Sequence, residues 1–264
     1  MHPKLIEIGN FYIPTYGFFV ALGVIVGVWL TLKLAAKEGF DKKQIDQISN
    51  LAIYSILGGL LGSKLLLIIV DLKYYIQNPG DLLYVVRSGG VYYGGLIGGL
   101  VTGIYFFRKY KLPVWKVGDV AAPHIALGQF FGRLGCFSAG CCYGKACSCG
   151  WGVTFHSEFA HNVVGTPLGV PLYPTQLMHA FSNLAIFLLL RFYFYPKKKF
   201  DGQILWLYVF FYSITRFIIE FFRGDTVRGF VFGILSTSQF ISVIMFFVAV
   251  FMLYKLKAEK GKNA

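Results

Sequence analysis

Long apolar runs, rather than alternation of apolar and polar positions, set the pattern of this chain. Seven of them lie near residues 14–35, 48–70, 91–107, 119–138, 176–195, 203–223 and 232–254. Each is about 17–23 residues long, enough for a helix to cross about 30 Å of hydrocarbon. The pattern predicts an all-α, polytopic integral membrane protein with about seven transmembrane helices. The fourth run is the most interrupted, by Pro123, His124, Gln129 and Arg133. Between the runs, residues 71–90 mix Asp71 and Asp81 with Tyr74, Tyr75 and Tyr84, as interfacial segments do. Residues 139–175 form one long extramembrane loop that holds most of the cysteines. With no internal repeat and no composition break, residues 1–264 read as a single transmembrane domain.

Charge gives the orientation. Lys33, Lys37, Lys42 and Lys43, then Arg108, Lys109, Lys111 and Lys116, then Arg191 and Lys197–Lys199, then Lys255, Lys257, Lys260 and Lys262 all fall on one side if seven runs span. That excess marks the cytoplasmic face and predicts an outside N-terminus and a cytoplasmic C-terminus. Omitting the fourth run would scatter the asymmetry, so it is retained as a span. Composition agrees: 56% hydrophobic, 18% aromatic and only 14% charged, with a mean hydropathy of +0.61. The net charge of +13 sits in short loops, so it reads as topology and implies no nucleic-acid partner. Residues 1–10 carry no signal-peptide pattern.

Orientation turns sequence position into depth. Lys64, Arg133, Arg216, Glu220 and Arg223 then share the outer halves or ends of the second, fourth and sixth runs, with Tyr16 and Tyr93 at the outer ends of the first and third. A guanidinium at the centre of a bilayer costs about 2.5–3.5 kcal/mol on insertion scales, so such residues mark functional sites by default. Arg216, Glu220 and Arg223 are spaced i, i+4, i+7 and share a helix face, as do Gln129 and Arg133. Two arginines against one carboxylate, with Arg133 and Lys64 added, leave a cationic excess. At outer-leaflet depth that excess suits a lipid phosphate. Gly95, Gly99 and Gly103, with Gly58 and Gly62, form small-xxx-small faces for close helix packing. The doubled glycines around Tyr93 exceed one face and suggest a bend or a ligand approach. The five cysteines, Cys136, Cys141, Cys142, Cys147 and Cys149, match no pair of CxxC knuckles. Local disulfides, or a metal site drawing on His156 and His161, are both compatible with the spacing. No metal ligands and no cofactor are assigned.

The chain resembles the bacterial prolipoprotein diacylglyceryl transferases over nearly its whole length. The resemblance lies in His2-Pro3, Tyr16-Gly17, Gly62-Ser63-Lys64-Leu65, Gly89-Gly90 with Gly94-Gly95, and Asp119 to Pro123. It continues in Gly132-Arg133-Leu134-Gly135, Pro174-Thr175-Gln176-Leu177, Arg216 to Arg223 followed by Asp225, and Ser236-x-x-Gln239. It implies a multi-pass enzyme of the bacterial inner membrane that transfers the diacylglyceryl group of phosphatidylglycerol to the lipobox cysteine thiol of a prolipoprotein, releasing glycerol phosphate. Arg133, Arg216, Glu220 and Tyr93 would be its catalytic residues, and Tyr16, Lys64, Gly132, Gln176 and Arg223 would bind substrate. Tyr93 stands where the family has a histidine, Cys136 where it commonly has asparagine, and Cys141-Cys142 near where it has a carboxylate. A membrane redox or metal-binding protein using the 136–149 cysteines, or a non-catalytic lipid-binding relative, are the competing expectations.

Overall fold

The computed structural model describes residues 2–9, 11–86, 90–224, 229–231 and 235–263. Among these the chain is mostly helical. Helices α1 (Thr15–Lys37), α2 (Lys42–Val70), α3 (Leu72–Gln77), α4 (Tyr92–Tyr110) and α5 (Val114–Ala139) come first. They are followed by α6 (Glu158–Val164), α7 (Thr175–Leu188), α8 (Gln203–Glu220) and α9 (Thr237–Asn263). Short antiparallel pairs join Lys4–Ile8 to Phe11–Pro14, Val153–Thr154 to Pro171–Leu172, and Phe230–Val231 to Leu235–Ser236. Among the described residues, five helices are long and apolar enough to cross a membrane: α1, α2, α7 extended to Lys197, α8 and α9. The predicted third and fourth runs are also helical, as α4 and α5, but lie outside that set of five. α4 is glycine-rich, and α5 carries Lys116, Asp119, His124, Gln129 and Arg133. Gly89, Asp225 and residues 232–234, which the sequence reading used, lie outside the described residues.

The chain forms two compact units, Met1–Thr31 with Gly118–Ala264, and Leu32–Val117. In the second, α2 begins at a capping box: Gln44 N donates to Asp41 Oδ1 (2.7 Å), and Asp41 N donates to Gln44 Oε1 (3.1 Å). α2 and α4 run antiparallel and touch backbone to backbone. A Cβ at Gly62 would strike Gly94 O, one at Gly98 would strike Gly58 O, and Gly94 faces both Gly62 O and Leu66. Tyr54 stacks on Phe106 further along the same seam, with ring centroids 4.4 Å apart. The small-residue faces are therefore packing surfaces, and this includes Gly94 beside Tyr93, where the sequence suggested a bend or a ligand. The reason is contact: the α2 backbone occupies the space that the missing side chains leave. Gly62→Ala is expected to lower stability by about 1–3 kcal/mol through overpacking. Gly80→Ala, with nothing within 4 Å of the new Cβ, should be neutral; thermal melts of the detergent-solubilised protein compare the two.

In the first unit α1 crosses α5 at another glycine seam. A Cβ at Gly23 would lie 2.9 Å from Gly128 O, and one at Gly135 would lie 3.2 Å from Tyr16 O. α8 packs against α7 and α9. Val120, Ala122, Ala126, Ala180, Leu190 and Ile204 are buried at this core, while Ile25, Trp29, Phe247, Phe251 and Tyr254 face outward, as lipid contact requires. Asp119 is fully buried and caps α8 from another helix. Its Oδ1 accepts from Ile204 N (2.8 Å) and Leu205 N (3.0 Å), its Oδ2 accepts from Gly202 N (2.8 Å), and Lys198 Nζ lies 3.4 Å from Oδ2. The carboxylate thus meets the N–H groups that a helix start leaves open, and the positive end of its dipole. Burial alone would lower the Lys198 ammonium; its contacts with Asp201 and Asp119 outweigh that and hold it raised.

Candidate functional site

Arg216 is held by three side chains in the first unit. Its Nη1 lies 2.7 Å from Glu220 Oε2, one helical turn on, which is the i, i+4 pair read from the spacing. Nη1 also donates to His179 Nε2 on α7 (3.2 Å), and Nη2 donates to Ser238 Oγ on α9 (2.8 Å). A guanidinium only donates, so His179 Nε2 is the acceptor in this contact. Three helices therefore fix one cation, with Glu220 buried and His179 almost wholly so. The sequence reading gave no weight to His179 or Ser238.

A backbone junction places the remaining charges. Gly144 N donates to Tyr173 O (3.0 Å), Tyr173 N to Lys145 O (3.0 Å), Lys145 N to Phe222 O (2.8 Å) and Gly224 N to Tyr143 O (3.2 Å). Residues 143–145 thus lie between the approach to α7 and the exit of α8. Gly144 is required there, because a Cβ would strike Tyr173 O and come within 2.8 Å of Phe222 O. Arg223 pairs across this junction with Gly144 and is 6% exposed, so it is buried rather than extended to solvent. His179 lies in the field of Arg133, Arg216 and Arg223 together. Arg133 in turn feels Arg223 and the thiols of Cys136 and Cys142.

Gly132 and Arg133 sit near the end of α5, and nothing lies within 4 Å of a Cβ at Gly132. Tyr16, at the start of α1, is within electrostatic reach of Arg133, Cys136, Cys141 and Cys142. Gln176 is buried at the start of α7. Its Nε2 donates to Cys141 O (2.9 Å), and its Oε1 has no hydrogen-bond partner in the protein. Thr175 Oγ1 donates to Cys142 O (2.8 Å). The first unit therefore brings together Arg133, Arg216, Glu220, Arg223, Gly132, Gln176 and Tyr16. Lys64 and Tyr93 lie on α2 and α4 of the second unit, which is described by itself.

The cysteines divide into two groups. Cys147 and Cys149 form a disulfide. The Cys136, Cys141 and Cys142 sulfurs lie within 4.8 Å of one another. His156 and His161 do not join them; His161 Nδ1 is hydrogen-bonded to Thr166 O (2.8 Å). In the loop, hydrogen bonds from Cys136 and Cys141, helped by Arg223 and Arg133, draw the Cys142 thiol down against the effect of burial. The hydrogen bonds it gives to Cys136 and Cys142, with burial, push Cys141 up. The arrangement is a cluster of buried cations beside a thiol cluster, chemistry suited to an anionic ester next to a sulfur nucleophile.

A family model described as prolipoprotein diacylglyceryl transferase matches residues 3–255. A phosphatidylglycerol–prolipoprotein diacylglyceryl transferase of Clostridium tetani is 42% identical over 255 residues, covering 96% of each chain. Another from Clostridium perfringens, numbered 2 in that organism, is 38% identical over 257 residues, covering 97% of this chain and 96% of its own. One from Finegoldia magna is 31% identical over 248 residues, covering 94% and 93%.

Proposed function

The chain belongs to the prolipoprotein diacylglyceryl transferase family, and on that premise we propose how its first unit carries out the transfer. It is a transferase of lipoprotein biosynthesis. The donor is phosphatidylglycerol, and the acceptor is the lipobox cysteine thiol of a prolipoprotein signal peptide. The acceptor thiol gives up its proton to solvent, its sulfur bonds to the terminal glyceryl carbon, the C–O bond to phosphate breaks, and glycerol phosphate leaves with the electron pair. Arg133, Arg216 and Arg223 bind the phosphate and stabilise the charge that gathers on the departing oxygen. Glu220, Ser238 and His179 position Arg216. Tyr16 and Gly132 line the site, and the buried Gln176 Oε1 accepts a hydrogen bond from a glycerol hydroxyl. Lys64 and Tyr93 belong to the other unit, and the proposal rests on the first unit alone.

The chain crosses the inner membrane seven times with its N-terminus outside, so that the site opens at outer-leaflet depth. Support comes from the one-sided distribution of lysine and arginine and from the lengths of α4 and α5. The family match favours this reading over a redox protein or a non-catalytic relative. The observation that carries the mechanism is Arg216, held by Glu220, Ser238 and His179 in a field shared with Arg133 and Arg223.

The test is an in vitro assay with labelled phosphatidylglycerol and a lipobox peptide, scoring thioether product. Product from a peptide whose cysteine is replaced by serine, or none from the intact peptide, would count against the proposal. Gly144→Ala should slow transfer by about 10²-fold, because the new Cβ parts the strands that hold Arg223. The same assay, run below the melting temperature of the variant, checks this.

A further inference from the structure

We infer that Cys136, Cys141 and Cys142 form a trithiolate site for one zinc ion, whose fourth position takes the acceptor thiol. The inference rests on the transferase reading above and supplies what that reading lacks, a means of ionising the acceptor. The three sulfurs already lie within 4.8 Å of one another. Zinc–sulfur bonds of about 2.3 Å in a tetrahedron set sulfurs about 3.8 Å apart, so small rotations close the site. The backbone is arranged for it. Gly140 (φ 81°) and Cys142 (φ 63°) are both left-handed and turn the chain back toward Cys136 on α5. Cys142 adopts a conformation that costs a non-glycine residue about 1–3 kcal/mol. Thr175 and Gln176 then hold the carbonyls of Cys142 and Cys141.

Ligand number and charge both define the occupant. Sulfur ligands alone select a soft or borderline ion over magnesium or calcium. Among the described residues no fourth His, Cys, Asp or Glu joins the group. Three protein ligands and an open position is the pattern of a zinc site that binds a reactant, whereas a structural site is closed by four. Three thiolates on Zn²⁺ carry one negative charge, and a fourth thiolate makes two. Arg133 and Arg223, the cations facing Cys142, match that charge. All three cysteines are half-buried, so the cluster is sheltered yet reachable.

The chemistry balances without any redox change. A thiol that binds zinc loses its proton to solvent and keeps its electron pair as thiolate. That sulfur attacks the glyceryl carbon. The S–C bond forms as the C–O bond breaks, and glycerol phosphate departs toward the arginines. The thioether, a poorer ligand, then leaves zinc. Arg133 lies one turn before Cys136 on α5, so a single helix end brings nucleophile and phosphate together.

The test uses the full chain, reduced and purified in detergent. After incubation with Zn²⁺ and removal of excess, elemental analysis should give one zinc per chain. Cys136→Ser and Cys142→Ser should each lower occupancy at least about tenfold, while the Cys147→Ser/Cys149→Ser double variant keeps it. Wild-type protein loaded with Co²⁺ should show sulfur-to-metal absorption that grows when a lipobox peptide is added, and not with its serine counterpart. This reading does not depend on any variant folding. No stoichiometric zinc, full zinc in Cys142→Ser, or the same cobalt spectrum with both peptides would each overturn the inference. Full transfer by zinc-stripped protein would also overturn it and leave the transferase reading intact. Zinc and peptide binding without thioether product would support the site and count against the transferase reading.

Discussion

Arg216→Ala and Arg133→Ala should each slow diacylglyceryl transfer by about 10²–10³-fold, the loss typical when one fixed donor to a developing oxyanion is removed. The two losses have different side effects. Arg216 is tied to Glu220, His179 and Ser238. Its removal takes the 2.7 Å Arg216 contact from a buried carboxylate, so Arg216→Ala should also lower the melting temperature. Arg216→Lys keeps a charge near Glu220 but not a planar fork that can meet His179, Ser238 and a phosphate at once. It should recover stability more than activity. Arg133 has no ion pair with a carboxylate among the described residues, so Arg133→Ala should lose rate with less loss of stability. Rates in the phosphatidylglycerol–lipobox peptide assay, paired with melts of the same preparations, decide the matter. Full activity in either folded alanine variant would remove that residue from the phosphate site.

Asp119→Ala should be strongly destabilising, at about 3–5 kcal/mol, because it leaves three helix-start N–H groups without their acceptor and leaves Lys198 with Asp201 alone. For a chain of this size that is a fall in melting temperature of about 10 °C or more. Asp119→Asn is the informative comparison. Its Oδ1 can still accept from Ile204 N and Leu205 N, while the contacts of Oδ2 with Gly202 N and Lys198 are lost. It should therefore fall between wild type and alanine. An alanine variant as stable as wild type would show that water replaces the carboxylate at the start of α8.

Local features of the site were legible in the sequence, and those made by distant elements were not. The Arg216–Glu220 pair follows from helical spacing alone. The glycine seam of α2 and α4 follows from recurrence every four residues. His179 was passed over because nothing in a linear chain says that α7 turns that ring toward Arg216 rather than into lipid. Asp119 stands at the start of the fourth apolar run, and its partners lie 79 to 86 residues away. The cysteines were ambiguous for a related reason. Spacing gives contour length, whereas the split into a Cys147–Cys149 disulfide and a Cys136–Cys141–Cys142 cluster depends on two left-handed residues, one of them not glycine. α4 and α5 show the converse: glycine and polar side chains dilute their hydropathy, yet both are unbroken helices of membrane-spanning length.

The junction of residues 143–145 with 171–173 and 222–224 also sets when the site can exist. Its strands come from three separate parts of the chain, and the last of them directly follows α8. During synthesis α1 and α5 can pair at their glycine seam early, but Arg223 cannot take its place until residue 224 has left the ribosome. Arg216 must wait longer still, for Ser238. The proposed phosphate site is therefore a late product of folding. A nascent chain halted after α7 would have its thiol cluster and Arg133 but neither Arg216 nor Arg223 to complete the hold on a lipid headgroup.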